Sequence, residues 1–227
     1  MKKIILAVLF ACMMAVGVQA QVFIGGSLGV DYSADKYSSG SVSVNEPAYT
    51  GFEFSPMVGF YLTDNLAIGA QINLGIFNVN DRDDKPTKFT ATTFGVAPFI
   101  RTTFVSAGNL SLVLETSVGF NSVSTKSNYE SVTVDGPSAT IIGLNAVPLL
   151  SYKMSDRLSI EMRTNLLRLS GGSAAVKEKY GSTEYTTTTT YFGFGVNPSG
   201  ISSLIMNELE MSFVGGSPLQ IGMIFKF

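Results

Sequence analysis

The sequence predicts an all-β protein: a transmembrane, antiparallel, up-and-down β-barrel, eight strands with ten as the alternative. Three observations carry this. The first is the stretch from Leu219 to Phe227, where Leu219, Ile221, Met223, Phe225 and Phe227 alternate with Gln220, Gly222, Ile224 and Lys226. Period two is the signature of a strand, not a helix. The second is apolar content spread thin. Hydrophobic residues make up 45% of the chain, yet past residue 20 no run reaches the ~18 apolar residues of a membrane helix. Alternating strands distribute apolar residues in this way. The third is turn spacing, which alternates long and short along the chain, as in a barrel with short turns at one rim and long loops at the other.

Residues 1–20 are expected to be a cleaved targeting segment. Lys2 and Lys3 give a basic start, Ile4 through Val16 is apolar, and Val18-Gln19-Ala20 is a small-x-small cleavage site. The mature domain then spans residues 21–227 and starts at Gln21. Leu9-Phe10-Ala11-Cys12 offers a lipoprotein signal instead, but Phe10 is bulky and the apolar run before Cys12 is short for a ~7–15-residue signal core. Cys12 is the only cysteine, so the mature chain forms no disulfide. The chain carries 15 basic and 17 acidic residues. Losing Lys2 and Lys3 makes it more acidic still. With no basic patch, nucleic acid is not an expected partner.

The elements follow in order. Residues 21–31 put Val22, Ile24, Leu28 and Val30 on one face, with Ser27, Gly29 and Asp31 on the other. Tyr32 to Tyr49 is polar and reads as a long loop. Phe52, Phe54, Val58, Phe60 and Leu62 alternate with Glu53, Ser55, Gly59, Tyr61 and Thr63, and Asp64-Asn65 is a tight turn. Leu66 to Ile76 alternates again, and Asn80 to Lys88 is a charged loop containing Pro86. Phe94, Val96, Ile100 and Phe104 oppose Thr93, Gly95, Arg101 and Thr103. A turn at Gly108-Asn109 leads to Leu110, Leu112, Leu114, Val118 and Phe120, which oppose Ser111, Glu115, Ser117, Gly119 and Asn121. Lys126 to Pro137 is a loop. Ile142 to Lys153 and Leu158 to Leu166 alternate on either side of a turn at Ser155-Asp156. Pro56, Pro98 and Pro148 fall inside strands on the apolar parity. Each removes a ladder donor, so bulges are expected there.

Residues 170–218 allow two architectures. Lys177 to Glu184 reads as a solvated loop, Tyr191 to Val196 as a strand, Asn197-Pro198-Ser199-Gly200 as a turn, and Glu208 to Phe213 as alternating. Either this is a long outer loop with a strand-like extension, giving eight strands, or it adds two strands. Ten strands would need an outer turn at Gly215-Gly216-Ser217-Pro218 much shorter than the other outer loops, which favours eight.

The apolar parity must face lipid, where Arg or Lys at midplane costs about 2–4 kcal/mol. The other parity carries Asp31, Glu53, Glu115 and Glu161 against Arg101, Lys153, Arg163 and Lys226. The signs balance, as a buried charge network requires. Ala107-Gly108-Asn109 as a three-residue loop pairs Ser106 with Leu110 and sets Arg101 opposite Glu115, both inward. The eight residues are either a salt-bridged plug or separately hydrated lumen charges.

Histidine is absent, which removes the usual general base and the commonest metal ligand; without a mature cysteine, thiolate and cysteine-zinc chemistry go too. Glu208 and Glu210 could do acid-base work, but alternation explains them. Asp81, Asp83 and Asp84 could bind Ca²⁺, but Arg82 and Lys85 make a solvated loop the simpler account. No enzyme activity, no cofactor and no metal is expected.

With leader, alternating strands, turn layout and Phe227 together, the chain resembles the small OmpA/OmpX-type outer-membrane β-barrels. The resemblance implies location in the outer membrane, contact with its lipid, and recognition of Phe225 and Phe227 by the assembly machinery. The peptidoglycan-binding domain of OmpA-like proteins has no counterpart before Phe227, so tethering to the cell wall is not implied. Two roles are consistent with this architecture: a structural or surface-interaction barrel whose loops could meet an extracellular ligand, and a small diffusion pore.

Overall fold

The computed structural model describes residues 21–39, 42–80, 88–129, 132–164, 168–180, 183–195 and 219–227. The targeting segment, the Asp81 to Lys85 loop, Glu208 and Glu210 lie outside these. Among the described residues there are ten strand segments: β1 (Gln21–Ser39), β2 (Val42–Thr63), β3 (Leu66–Asn80), β4 (Lys88–Ala107), β5 (Leu110–Tyr129), β6 (Val132–Lys153), β7 (Leu158–Thr164), β8 (Arg168–Tyr180), β9 (Thr183–Gly195) and β10 (Leu219–Lys226). All ladders are antiparallel. Their order runs β5-β4-β3-β2-β1-β10-β7-β6, and β6 returns to β5, so the ring closes at eight positions.

Two of the eight positions are shared. β6 pairs with β7 from Leu149 to Lys153 and with β8 from Ser138 to Ala146. β10 lies beside β7, starting at Leu219 opposite Thr164, and β9 lies beside β8, ending at Gly195 opposite Arg168. β9 is the strand-like extension of the eight-stranded alternative.

The strands tilt because the ring closes with an offset. From Leu149, partners lead one way through Val113 and Thr103 to Asn65, at the foot of β2. The other way they lead through Arg163, Gln220 and Gly29 to Glu53, midway up the same strand. Such a stagger is what a barrel needs in order to close.

The alternation sets the faces. Val22, Ile24, Leu28, Ile76, Ile100, Phe120, Ile142 and Ile221 are all exposed on the outer wall, although each is strongly apolar. A closed barrel with such a belt satisfies its backbone internally and offers lipid an apolar surface.

Three expectations need correction. Tyr32 to Ser39 and Val42 to Tyr49 are strand, not loop: β1 and β2 continue as a ladder from Tyr32↔Thr50 to Ser39↔Val42. Likewise β5 and β6 pair out to Tyr129↔Val132, and the Lys177 to Glu184 segment belongs to the β8–β9 hairpin. Beyond the apolar belt both faces of a hairpin meet water, so a paired strand there needs no apolar face, and its polar sequence looks like a loop. Thr186 to Thr190 suits a strand because threonine is β-branched.

Second, the turn after β4 has two residues, Gly108 and Asn109, with Ala107 opposite Leu110 and Gly108 at φ 60°. That is the tight hairpin geometry in which glycine's freedom is needed. The alternation survives because the register shifts between Thr103 and Val105. Phe104 and Val105 are therefore both exposed, and the bulge restores Arg101 opposite Glu115. The Asp64-Asn65 turn uses the same device, with a shift between Tyr61 and Thr63.

Third, Pro56 and Pro98 cause no bulge. Pairing lapses at Pro56 toward β3 and at Pro98 toward β5, then resumes in register. Each keeps its other neighbour, as Gly26↔Pro56 and Ala70↔Pro98. Pro148 does lie where β6 changes partner from β7 to β8.

Candidate functional site

The interior is built in layers. At the short-turn end an open vestibule is lined by Tyr61, Asp64, Lys153 and Lys226, among others. Above it lies a charged layer ringed by the apolar side chains of Phe23, Met57, Ala67, Phe99 and Ile224. Next comes an amide layer, in which Asn73 Oδ1 accepts from Gln71 Nε2 at 3.1 Å and Asn73 Nδ2 donates to Asn121 Oδ1 at 3.3 Å. Toward the hairpin end, Phe77, Ala91, Val123, Ala139, Ile141, Ala174 and Val176 form an apolar cluster drawn from β3, β4, β5, β6 and β8.

Arg101 is the centre of the charged layer. Its Nε and Nη2 both donate to Glu115 Oε2, at 2.9 and 2.8 Å, and its Nη1 donates to Glu161 Oε1 at 3.1 Å. Arg163 Nη2 donates to the same Glu115 oxygen at 2.7 Å. Two guanidinium groups and two carboxylates thus neutralise one another across β4, β5 and β7. Arg101 and Glu115 are each only 4% exposed, a depth at which an unpaired charge is costly.

Aromatic rings complete the shell. The Arg101 guanidinium lies 5.0 Å from the Phe99 ring centre and 5.8 Å from that of Phe23, within cation–π range. Met57 Sδ accepts from Arg101 Nη2 at 3.0 Å. Two glycines make room for the rings. A Cβ on Gly59 would stand 2.5 Å from Phe23 Cζ, and one on Gly69 2.5 Å from Phe99 Cζ.

Of the eight inward charges, four are bonded to one another. Arg101, Glu115, Glu161 and Arg163 come together. Glu53 accepts from Gln220 Nε2 at 2.6 Å, higher in the barrel, and Asp31 stands opposite Gly51 higher still. Lys226 lies 4.3 Å from the Tyr61 ring centre in the vestibule. Lys153 sits 2.8 Å from Asp156 at the rim, and its hydrogen bond and charge hold that exposed carboxyl below the usual range. Phe225 and Phe227 face outward with ring centres 5.1 Å apart.

Sequence reasoning missed Phe23, Met57 and Phe99. They share parity with the inward charges, which is the available signal, but an apolar residue on that parity carries no charge to mark it.

No protein-family model matches the chain, and no curated protein matches its sequence. Among solved structures, a major outer membrane protein of Thermus thermophilus superimposes with a TM-score of 0.51 at 12% identity, covering 92% of this chain and 100% of that one. Neisserial surface protein A aligns at TM-score 0.39 and 12% identity over 91% of this chain and 97% of its own. The N-terminal barrel domain of Pseudomonas aeruginosa OprF aligns at 0.35 and 12% over 92% and 100%. The closed eight-position ring, the outward apolar belt and the Thermus superposition agree: the chain has the fold of an outer-membrane β-barrel.

Proposed function

We propose that the protein is a closed outer-membrane barrel with a structural or surface-interaction role, its β-hairpins presented outside and its short turns facing the periplasm. The observation that carries this is the filled interior. A neutral charge layer and a separate apolar cluster both stand in the path a solute would take. Eight strands leave a lumen that side chains can fill. The apolar belt supports lipid as the surrounding medium. Without histidine or a mature cysteine, the chain is proposed to be non-enzymatic. Any extracellular ligand would meet the polar hairpins, whose chemistry names none.

The test is conductance of the purified protein in a planar bilayer. Closed records are expected; steady open-channel current would replace this proposal with a diffusion pore. The proposal extends to assembly, with the outward-facing Phe225 and Phe227 read by the outer-membrane machinery. Phe227→Ala should lower the amount in the envelope while the assembled fraction keeps its heat stability. Normal envelope levels would remove that part.

A further inference from the structure

We propose that the vestibule at the short-turn mouth binds a small free solute through an oxyanion group, carboxylate or phosphate, held between Lys153 and Lys226. This is a site inside the barrel, at the end opposite the presented hairpins, and it does not depend on conduction. The cavity measures about 660 Å³ with its open mouth included. Its charges are unevenly satisfied. Of the lining cations, Arg101 is neutralised by Glu115 and Glu161 in the charged layer above. Lys226 is half-buried against Tyr61, and no carboxylate among the described residues lies within ion-pair distance of it. Lys153 reaches Asp156, a nearly fully exposed carboxylate outside the cavity lining. An ammonium has three donors, so this contact leaves Lys153 able to meet a ligand.

The opposing carboxylates do not cancel the pair. Glu161 is engaged by Arg101, and Asp64 stays exposed on its turn. The rest of the wall supplies neutral donors. Thr103, Ser106, Ser111, Ser151 and Ser159 all line the cavity, with the Ser106 and Ser111 hydroxyls 2.9 Å apart. Hydroxyl hydrogens can rotate toward an oxyanion, and two ammoniums give charge-assisted bonds to it. Because Lys226 points into the lumen and not along the lipid-facing wall, the bound group belongs to a dissolved molecule and not to a lipid headgroup.

The experiment uses the folded barrel in dodecyl maltoside, a phosphate-free detergent, with lysines ¹³C-dimethylated so that they keep their charge. Inorganic phosphate and succinate are titrated in separate arms at constant ionic strength. The Lys153 and Lys226 methyl signals, assigned with Lys153→Met and Lys226→Met, should shift saturably with at least one probe and not with chloride. Lys226→Met should weaken the Lys153 response by about tenfold, the scale of one lost charge-assisted bond, and Lys226→Arg should retain it. Heat-modified gel mobility establishes that each variant is folded. A shift reproduced by chloride, a linear unsaturated shift, or unchanged affinity in Lys226→Met would each overturn the site. A response that appears only when phosphatidylglycerol is added would assign it to lipid headgroups and overturn the free-solute proposal.

Discussion

Arg101→Met should destabilise the barrel by about 3–5 kcal/mol, and adding Glu115→Gln should recover part of that loss. The single change strips Glu161 of its Arg101 partner at 3.1 Å while Glu115 keeps Arg163 at 2.7 Å, so the layer is left with one uncompensated buried carboxylate. Glu115→Gln alone leaves two guanidinium groups sharing Glu161. With both replaced, Arg163 and Glu161 remain two residues apart on the inner face of β7, and the charge balances again. The double variant should therefore cost less than either single one. Unfolding by urea in lipid vesicles, analysed as a double-mutant cycle, measures the coupling. Additive costs below about 1 kcal/mol would mean that water screens the layer as it does a surface pair.

Phe23→Ala should cost a similar 3–5 kcal/mol, roughly the range for deleting a buried aromatic side chain. Phe23 is fully buried, packs against Phe99 and Tyr61, and covers one side of the Arg101 guanidinium. Its loss leaves a cavity beside the vestibule. Unlike a truncation within the apolar cluster at the hairpin end, this cavity adjoins polar groups and can take up water. Equilibrium unfolding gives the cost, and a loss under about 1 kcal/mol would show that the ring is not a structural part of the layer.

The facing of the strands is legible in the sequence because lipid penalises every outward polar group. That penalty acts from Val22 to Val30 and from Leu219 to Phe225, and stops above the belt. Hence the Tyr32 to Tyr49 hairpin looks like a loop. The opposition of Arg101 and Glu115 follows from parity, even though the turn is one residue shorter than expected, since the bulge at Phe104 adds the residue back. The bond from Arg101 to Glu161 is not legible, because it crosses the lumen and depends on the stagger with which the ring closes. Nor is the placing of Phe23 and Phe99, which requires matching each ring to a glycine on another strand.

The ladder between β1 and β10 differs from its neighbours in kind. β1 to β6 are joined in succession by hairpins, whose partners meet after a short search. Phe23↔Lys226 joins residues from nearly opposite ends of the chain, as do Ser27 and Gln220 at 3.2 Å and the bond from Phe227 N to Val22 O at 2.9 Å. Closing so long a loop costs entropy before any contact repays it, and such non-local pairing slows folding. A curled sheet with β1 still open is thus the expected precursor, and sealing of that seam the expected slow step. Variants that weaken Ser27–Gln220 should then retard acquisition of heat-modified mobility much more than they retard formation of β-structure seen by circular dichroism.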